Sequence, residues 1–238
     1  MASAEWLAAA SAIEDNDLKC LRELLGAHPE LAKEAAFAEN GSTLCIFAVV
    51  CGNLEALKEL VDVSDLDQAD EDGDTPAMLA CARNRMDQER QVLFLKEVLR
   101  GDPDLTRRNC RGKTALSYAI HSGCLTAAKM IIAEREKKGE KVDGLSPVDV
   151  DDSGENLAHI AASGRGDGVE CLDLVLSLGG GKQMSEQRSG RGLLPEEHSQ
   201  ERNTPSRKAY WKSLRERAEL SAQLQQFSEP PANGPRRI

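Results

Sequence analysis

The side chains able to do chemistry fall into a few clusters, and each can be held against the spacing its reaction needs. Asp149-x-Asp151-x-Ser153-Gly154 opens like a calcium loop, in which alternating oxygen ligands are closed by a bidentate carboxylate at the twelfth position. Ile160 stands there instead, so the last ligand is missing. Gly181-Lys182 ends like a phosphate loop, but Leu176 replaces its first glycine, and Gln183 stands where a magnesium-binding hydroxyl belongs. Gly164-x-Gly166-x-Gly168 follows a helical pattern, whereas a dinucleotide loop follows a strand. His28, His121, His159 and His198 are scattered, and no Ser or Cys has a context that would activate it as a nucleophile. Cys20, Cys45, Cys51, Cys81, Cys110, Cys124 and Cys171 are odd in number and form no CxxC pair, which disfavours zinc and a disulfide framework. No catalytic, cofactor-binding or metal-binding residue is assigned on these grounds. A binding surface is then to be weighed against an enzyme whose residues these patterns do not reveal.

The elements that present such a surface must be inferred from composition and repetition. Aromatic residues make up 3% of 238, too few to anchor one deep core, which favours thin layers of small and aliphatic side chains. Residues 1–181 carry 19 Lys and Arg against 33 Asp and Glu, a balance of −14, while residues 182–238 carry 11 against 7, a balance of +4. An acidic body repels phosphate backbones, so nucleic acid is not expected as the primary partner. No apolar run approaches a membrane span. The N-terminal Met-Ala-Ser-Ala-Glu-Trp lacks a cationic stretch, so the expected location is intracellular, cytoplasmic or nuclear.

Four blocks open alike: Gly41-Ser-Thr43-Leu, Gly73-Asp-Thr75-Pro76, Gly112-Lys-Thr114-Ala and Gly154-Glu-Asn156-Leu, at spacings of 32, 39 and 42. The glycine suits a tight turn, and the Thr or Asn can cap a helix start. Pro76 suits the first helical position, where its missing donor is not needed. The first helices are expected to end near Gly52, Asn84, Gly123 and Arg165, and the small pairs Ala48-Val49, Ala80-Cys81 and Ala161-Ala162 let neighbours approach. A second helix follows each, marked by Leu57/Leu60/Val61, Leu95/Val98/Leu99, Ala128/Ile131/Ile132 and Leu172/Val175/Leu176 at i, i+3 and i+4. Leu21/Leu24/Leu25 repeat the spacing in an earlier block that lacks the turn, as an N-terminal cap would.

This pattern resembles the ankyrin repeat, a unit of about 33 residues with a Thr-Pro-Leu-His-x-Ala signature. Only Asn156-Leu-Ala-His159 keeps the histidine, which Ile46, Met78 and Ser117 replace elsewhere. The resemblance implies an all-α solenoid of stacked helix-turn-helix units with turn tips over residues 4–181, plus a C-terminal helix. Residues 182–203 read as a linker or a degenerate sixth unit opened by Gly190 and Leu193-Leu194-Pro195. Residues 204–227 read as an amphipathic helix that could cap the stack, dock in a partner's groove or hang loosely, and 228–238 read as disordered. Extra residues around 85–90 and 137–147 either lengthen helices or form protruding loops.

By position, the resemblance places partner contacts at the turn tips and the exposed ends of the first helices: Glu39, Ser42, Glu71, Asp72, Asp74, Arg83, Arg111, Lys113, His121, Ser122, Asp152, Ser153 and Glu155. Acidic tips at 70–74 and 149–152 flank a basic one at Arg107, Arg108, Arg111 and Lys113. That alternation either registers a partner or lets neighbouring turns neutralise one another. His159 matches the family's structural histidine. The implied function is that of a non-catalytic adaptor or scaffold for another protein. The alternatives are a regulatory or inhibitory subunit of an enzyme, and an enzyme with its catalytic residues in the insertions or tail.

Overall fold

The computed structural model describes residues 3–36, 41–82, 87–165, 169–201 and 205–228. Helices come in pairs. The first five pairs are α1 (Ala4–Glu14) with α2 (Leu18–Ala27), α3 (Leu44–Cys51) with α4 (Leu54–Val61), α5 (Pro76–Cys81) with α6 (Gln88–Arg100), α7 (Ala115–Ser122) with α8 (Leu125–Lys137), and α9 (Leu157–Ser163) with α10 (Glu170–Ser177). A short α11 (Gly181–Glu186) precedes a further pair, α12 (Pro195–Glu201) and α13 (Pro205–Ser228). A two-residue antiparallel pairing, β1 (Ala35–Ala36) with β2 (Ser42–Thr43), interrupts the otherwise helical architecture.

The pairs stack in two layers. The inner helices α1, α3, α5, α7, α9 and α12 each pack on the next, and so do the outer helices α2, α4, α6, α8 and α10. The expected aliphatic trios form the buried outer seam: Leu57, Leu60, Leu95, Val98, Ile131, Leu172 and Val175 are all 1% exposed or less. One hydrophobic cluster runs from Trp6 to Trp211, so the core is a continuous strip built from contacts between neighbouring units.

The inner helices start where the caps predict. The side chains of Thr43, Thr75 and Thr114 accept from the backbone N–H of Ile46, Met78 and Ser117 at 3.2, 3.4 and 3.3 Å, and Asn156 accepts from Ala158 and His159. Gly52 and Gly123 end α3 and α7 in the left-handed region. The other two ends differ from expectation: α9 stops at Ser163, two residues before Arg165, and α5 stops at Cys81, with Asn84 outside the described residues.

The sixth unit also differs from its sequence reading. Gly192, at φ +75°, is the residue with the turn backbone of Gly73, Gly112 and Gly154, not Gly190. Gly190 instead donates to Ser153 O at 2.8 Å, as Asp152 donates to Arg111 O one unit earlier and Cys110 to Asp72 O two units earlier. The span 182–203 therefore holds α11, a turn of repeat type and α12. Trp211 of α13 is 5% exposed and donates from Nε1 to Ser199 Oγ at 3.0 Å, while Tyr210 donates to Asp173 Oδ1 of α10 at 2.6 Å. Residues 229–238, Thr204 and the surrounding 202–203 lie outside the described residues.

The described part of the first insertion lengthens a helix. α6 has 13 residues where α4 has 8. Gln88 Nε2 donates to Gly123 O at 3.0 Å and Arg90 Nη2 to Gly52 O at 2.9 Å, so the extension ties the C-terminal ends of α7 and α3 together across α5. The second insertion likewise lengthens α8 to 13 residues and then folds back. Arg135 closes it, reaching Asp149 at 2.7 Å and Glu140 at 2.9 Å.

Candidate interaction surface

The turn tips are held in register by their own side chains. Three residues ahead of each turn glycine stand Asp70, Asn109 and Asp151, whose Oδ1 atoms accept from Asp74 N at 2.8 Å, from Arg111 N and Lys113 N at 2.9 Å, and from Ser153 N and Glu155 N at 2.9 Å. Each tip then bonds the next through its backbone, giving the projecting turns a rigid edge. Asp or Asn at this spacing is a signal visible in the sequence that the repeat reading did not use.

Below the tips, the inner helices share a floor set by cap position. The fourth residue after the cap is Phe47, Leu79, Tyr118 and Ile160 in successive units, and the seventh is Val50, Ala82, His121 and Ser163. A cleft of about 380 Å³ lies between the third and fourth tips, lined among others by Asp70, Asp72, Arg111, Lys113, Tyr118, His121 and Arg165. A second, of about 370 Å³, adjoins it and shares Lys113 and His121, with Glu155, Arg191 and His198 on its far side. Arg165 is fixed over the end of α7 by its N–H to His121 O at 2.7 Å.

Of the sequence-selected residues, Asp72, Arg111, Lys113, His121 and Glu155 come together around these two clefts. Glu71 and Ser153 are exposed at tips, and Ser42 lies apart in β2. Asp74 and Ser122 line the first cleft as well but are largely buried. Asp74, 6% exposed, accepts from Asn109 Nδ2 at 2.8 Å and from the Tyr118 hydroxyl at 3.0 Å, so its carboxylate is used inside the fold. Ser122, 3% exposed, donates to Ala119 O. Glu39 and Arg83 lie outside the described residues. Asp70, Tyr118, Arg165, Arg191 and His198 line the clefts and were not selected; Arg191 precedes Gly192 as Arg111 precedes Gly112, a match hidden by placing the sixth turn at Gly190.

Much of the alternating tip charge is spent between neighbours. Arg107 donates to Asp67 O, and Arg108 donates to Gly112 O and Val150 O while pairing Asp152 at 2.9 Å. Lys113 lies 4.0 Å from Asp151, and the Arg111 guanidinium lies 3.5 Å from the Tyr118 oxygen. Burial, reinforced by the neighbouring Asp74 and Asp72, raises Asp70 above the usual carboxylate range.

Ser189 Oγ lies 3.3 Å from His198 Nε2, with Glu155 3.9 Å from Nδ1, the residue types of a nucleophile, base and orienting acid. Ser189 is 6% exposed and does not line the adjoining cleft, and the Glu155 contact is too long for a hydrogen bond. The serine instead occupies the turn position of Asp70, Asn109 and Asp151. Burial pushes the thiol of Cys45 up to about 12 and that of Cys171 to about 11, so neither supplies a thiolate near neutral pH.

Paired helices stacked through neighbour contacts, with glycine turns projecting from one edge, form the architecture of an ankyrin solenoid. Residues 7–96 match the family model of ankyrin repeats, in three copies. No curated protein sequence matches the chain. Among solved structures, a chain from the complex of the predatory endopeptidase Bd0816 of Bdellovibrio bacteriovorus with immunity protein Bd3460 has a TM-score of 0.65 at 19% identity, over 89% of this chain and 99% of that one. EF0377, described as an ankyrin repeat protein, has a TM-score of 0.63 at 20% identity, over 84% and 93%. At these identities the likeness is one of fold. Ankyrin repeats are typically modules that bind other proteins.

Proposed function

We propose that the protein is a non-catalytic adaptor or scaffold that holds another protein along the concave floor and turn tips of its repeats, inside a reducing compartment. The observation that carries this reading is the pair of adjoining clefts sharing Lys113 and His121, walled by Asp72 and Arg111 on one side and Glu155 and Arg191 on the other. Layers about 10 Å apart make the whole face some 60 Å long, enough to offer about 800 Å² to a partner. The tips are ordered before binding by Asp70, Asn109 and Asp151, which lowers the entropy lost on association.

A second reading is an inhibitory subunit using the same surface. It is favoured by the fold likeness to a chain from an endopeptidase–immunity protein complex. The test is affinity capture followed by association kinetics with the purified partner. Arg111→Glu should slow association about tenfold at low salt and less at high salt. An unchanged on-rate would remove the concave face from the interaction. If the partner is an enzyme whose turnover falls on binding, the inhibitory reading replaces the scaffold.

A further inference from the structure

The concave floor changes character halfway along. In the first three units, its cap-plus-four and cap-plus-seven positions are apolar: Leu7 follows the Ser3 cap, and Phe47, Val50 and Leu79 follow Thr43 and Thr75. Leu7 and Val50 are 51% and 53% exposed, among the few large apolar side chains left open to water among the described residues. In the fourth unit the floor positions become Tyr118 and His121, and the cations Arg111, Lys113 and Arg165 converge on one cleft. Residues 1–181 carry a balance of −14, and Asp70, Asp72 and Asp74 line the same cleft as these three cations.

The acids near that cleft are unequal. Asp74 already accepts from Asn109 and Tyr118, and Asp70 caps its own turn. Asp72 remains exposed on the tip between the apolar and cationic halves. A carboxylate is therefore attracted to the cleft at the fourth unit and repelled one layer earlier, which sets a register.

We propose that the partner segment held by this groove is an extended, amphipathic acidic stretch, its aliphatic side chains over Leu7, Phe47, Val50 and Leu79 and its carboxylates at Arg111, Lys113 and Arg165. This rests on the concave-face reading above and names the partner's chemistry. Three layer steps of about 10 Å separate the Leu7 and Arg111 units, a distance spanned by roughly nine extended residues at about 3.3 Å each. Aliphatic side chains at alternate positions would face the floor, because successive side chains of an extended segment point to opposite sides.

Fluorescence anisotropy with labelled peptides of about twelve residues tests this. One probe joins alternating leucines to a glutamate block, the second replaces the glutamates with lysines, and the third replaces the leucines with serines. The first should bind at least about tenfold more tightly than the others, and the same loss should follow from Arg111→Glu with Arg165→Glu or from Leu7→Ser with Val50→Ser. All four positions are on the surface, and an unchanged circular dichroism spectrum separates lost contact from lost fold. Equal binding of the lysine probe, no binding by any probe, or indifference to either pair of substitutions overturns the proposal. A natural partner lost on Arg111→Glu yet bound through a basic or wholly polar segment overturns it while leaving the concave-face reading intact; a partner indifferent to Arg111→Glu sinks both.

Discussion

Tyr118 donates its hydroxyl to the carboxylate of Asp74, 3.0 Å from Oδ1 and 3.1 Å from Oδ2, across 44 residues of chain. Asn109 donates to the same Oδ1 at 2.8 Å. One acid on the third tip is thereby gripped by the fourth tip and by the helix behind it. In a stack whose units touch only their neighbours, such a bond couples adjacent units. Burial first, and then the carboxylate, hold the tyrosine above its ordinary range, so the hydroxyl stays protonated and the donor persists at all working pH values.

Replacing Tyr118 with Phe keeps the ring and removes the donor. Asp74 would retain Asn109 but lose part of its solvation inside the fold, costing about 1–2 kcal/mol. Urea unfolding should show a lower midpoint. An unchanged midpoint would mean that the hydroxyl adds nothing to the coupling that Asn109 and the backbone bond from Cys110 to Asp72 already supply.

The turn glycines separate backbone strain from crowding. A Cβ on Gly73, at φ +78°, would lie 2.9 Å from both Asn109 Cα and Cys110 N, atoms that cannot swing away. A Cβ on Gly139, at φ +82°, would meet nothing within 4 Å. Gly139→Ala should therefore cost only the left-handed penalty of about 1 kcal/mol, and Gly73→Ala clearly more, because the tip must also separate from its neighbour. Equal losses in thermal unfolding would contradict the close tip packing.

Much of the frame was legible because each unit writes its own start. Thr43, Thr75, Thr114 and Asn156 all cap helices, and the aliphatic trios pack in or against the core where their period places them. What escaped the sequence depends on contacts between units. Gly190 and Gly192 are both glycines, and the left-handed φ of Gly192 together with the hydrogen bond from Gly190 N to Ser153 O tells which one is the turn. Asp74 sits at a tip position in sequence, but its donors Asn109 and Tyr118 lie in the next unit and draw it inward. Arg165 acquires its place from a backbone bond to His121, a contact no single repeat announces.

Arg135 and Asp149 form the most buried ion pair among the described residues, with side chains 3% and 0% exposed. Burial raises Asp149 above the ordinary carboxylate range despite the guanidinium beside it, and its Oδ2 finds no partner among the described residues. Removing the cation alone, as in Arg135→Met, should cost about 3–5 kcal/mol by stranding the carboxylate. Arg135→Met combined with Asp149→Leu should recover most of that loss, since Glu140 is one-third exposed and can turn to water. Chemical denaturation of both variants decides this; a double variant no better than the single one would show that the pair positions the loop after α8 through geometry that apolar packing cannot replace.

His159 predicts how the last units respond to acid. Its ring is fully buried, with Nε2 2.9 Å from Leu193 O and Nδ1 3.3 Å from Asn156 N and 2.8 Å from Asn156 Oδ1. Burial is the main cause holding its pKa below the ordinary histidine value; the nearby His198 ring, at 5.1 Å, lowers it further, while the Leu193 carbonyl and Asp151 oppose. The unfolded chain therefore binds the proton first as pH falls through about 6.5. Stability present above that value is lost on acidification until the folded ring also titrates, at no more than about 1.4 kcal/mol per pH unit. His159→Gln keeps an acceptor for the Asn156 N–H and cannot titrate. It should be less stable near neutrality but should lose less between about pH 7 and 5, read as a flatter dependence of the urea midpoint on pH. If the variant keeps the wild-type slope, the acid sensitivity belongs to other groups, and His159 is coupled to the turn at Leu193 through packing and hydrogen bonding without a proton-linked cost.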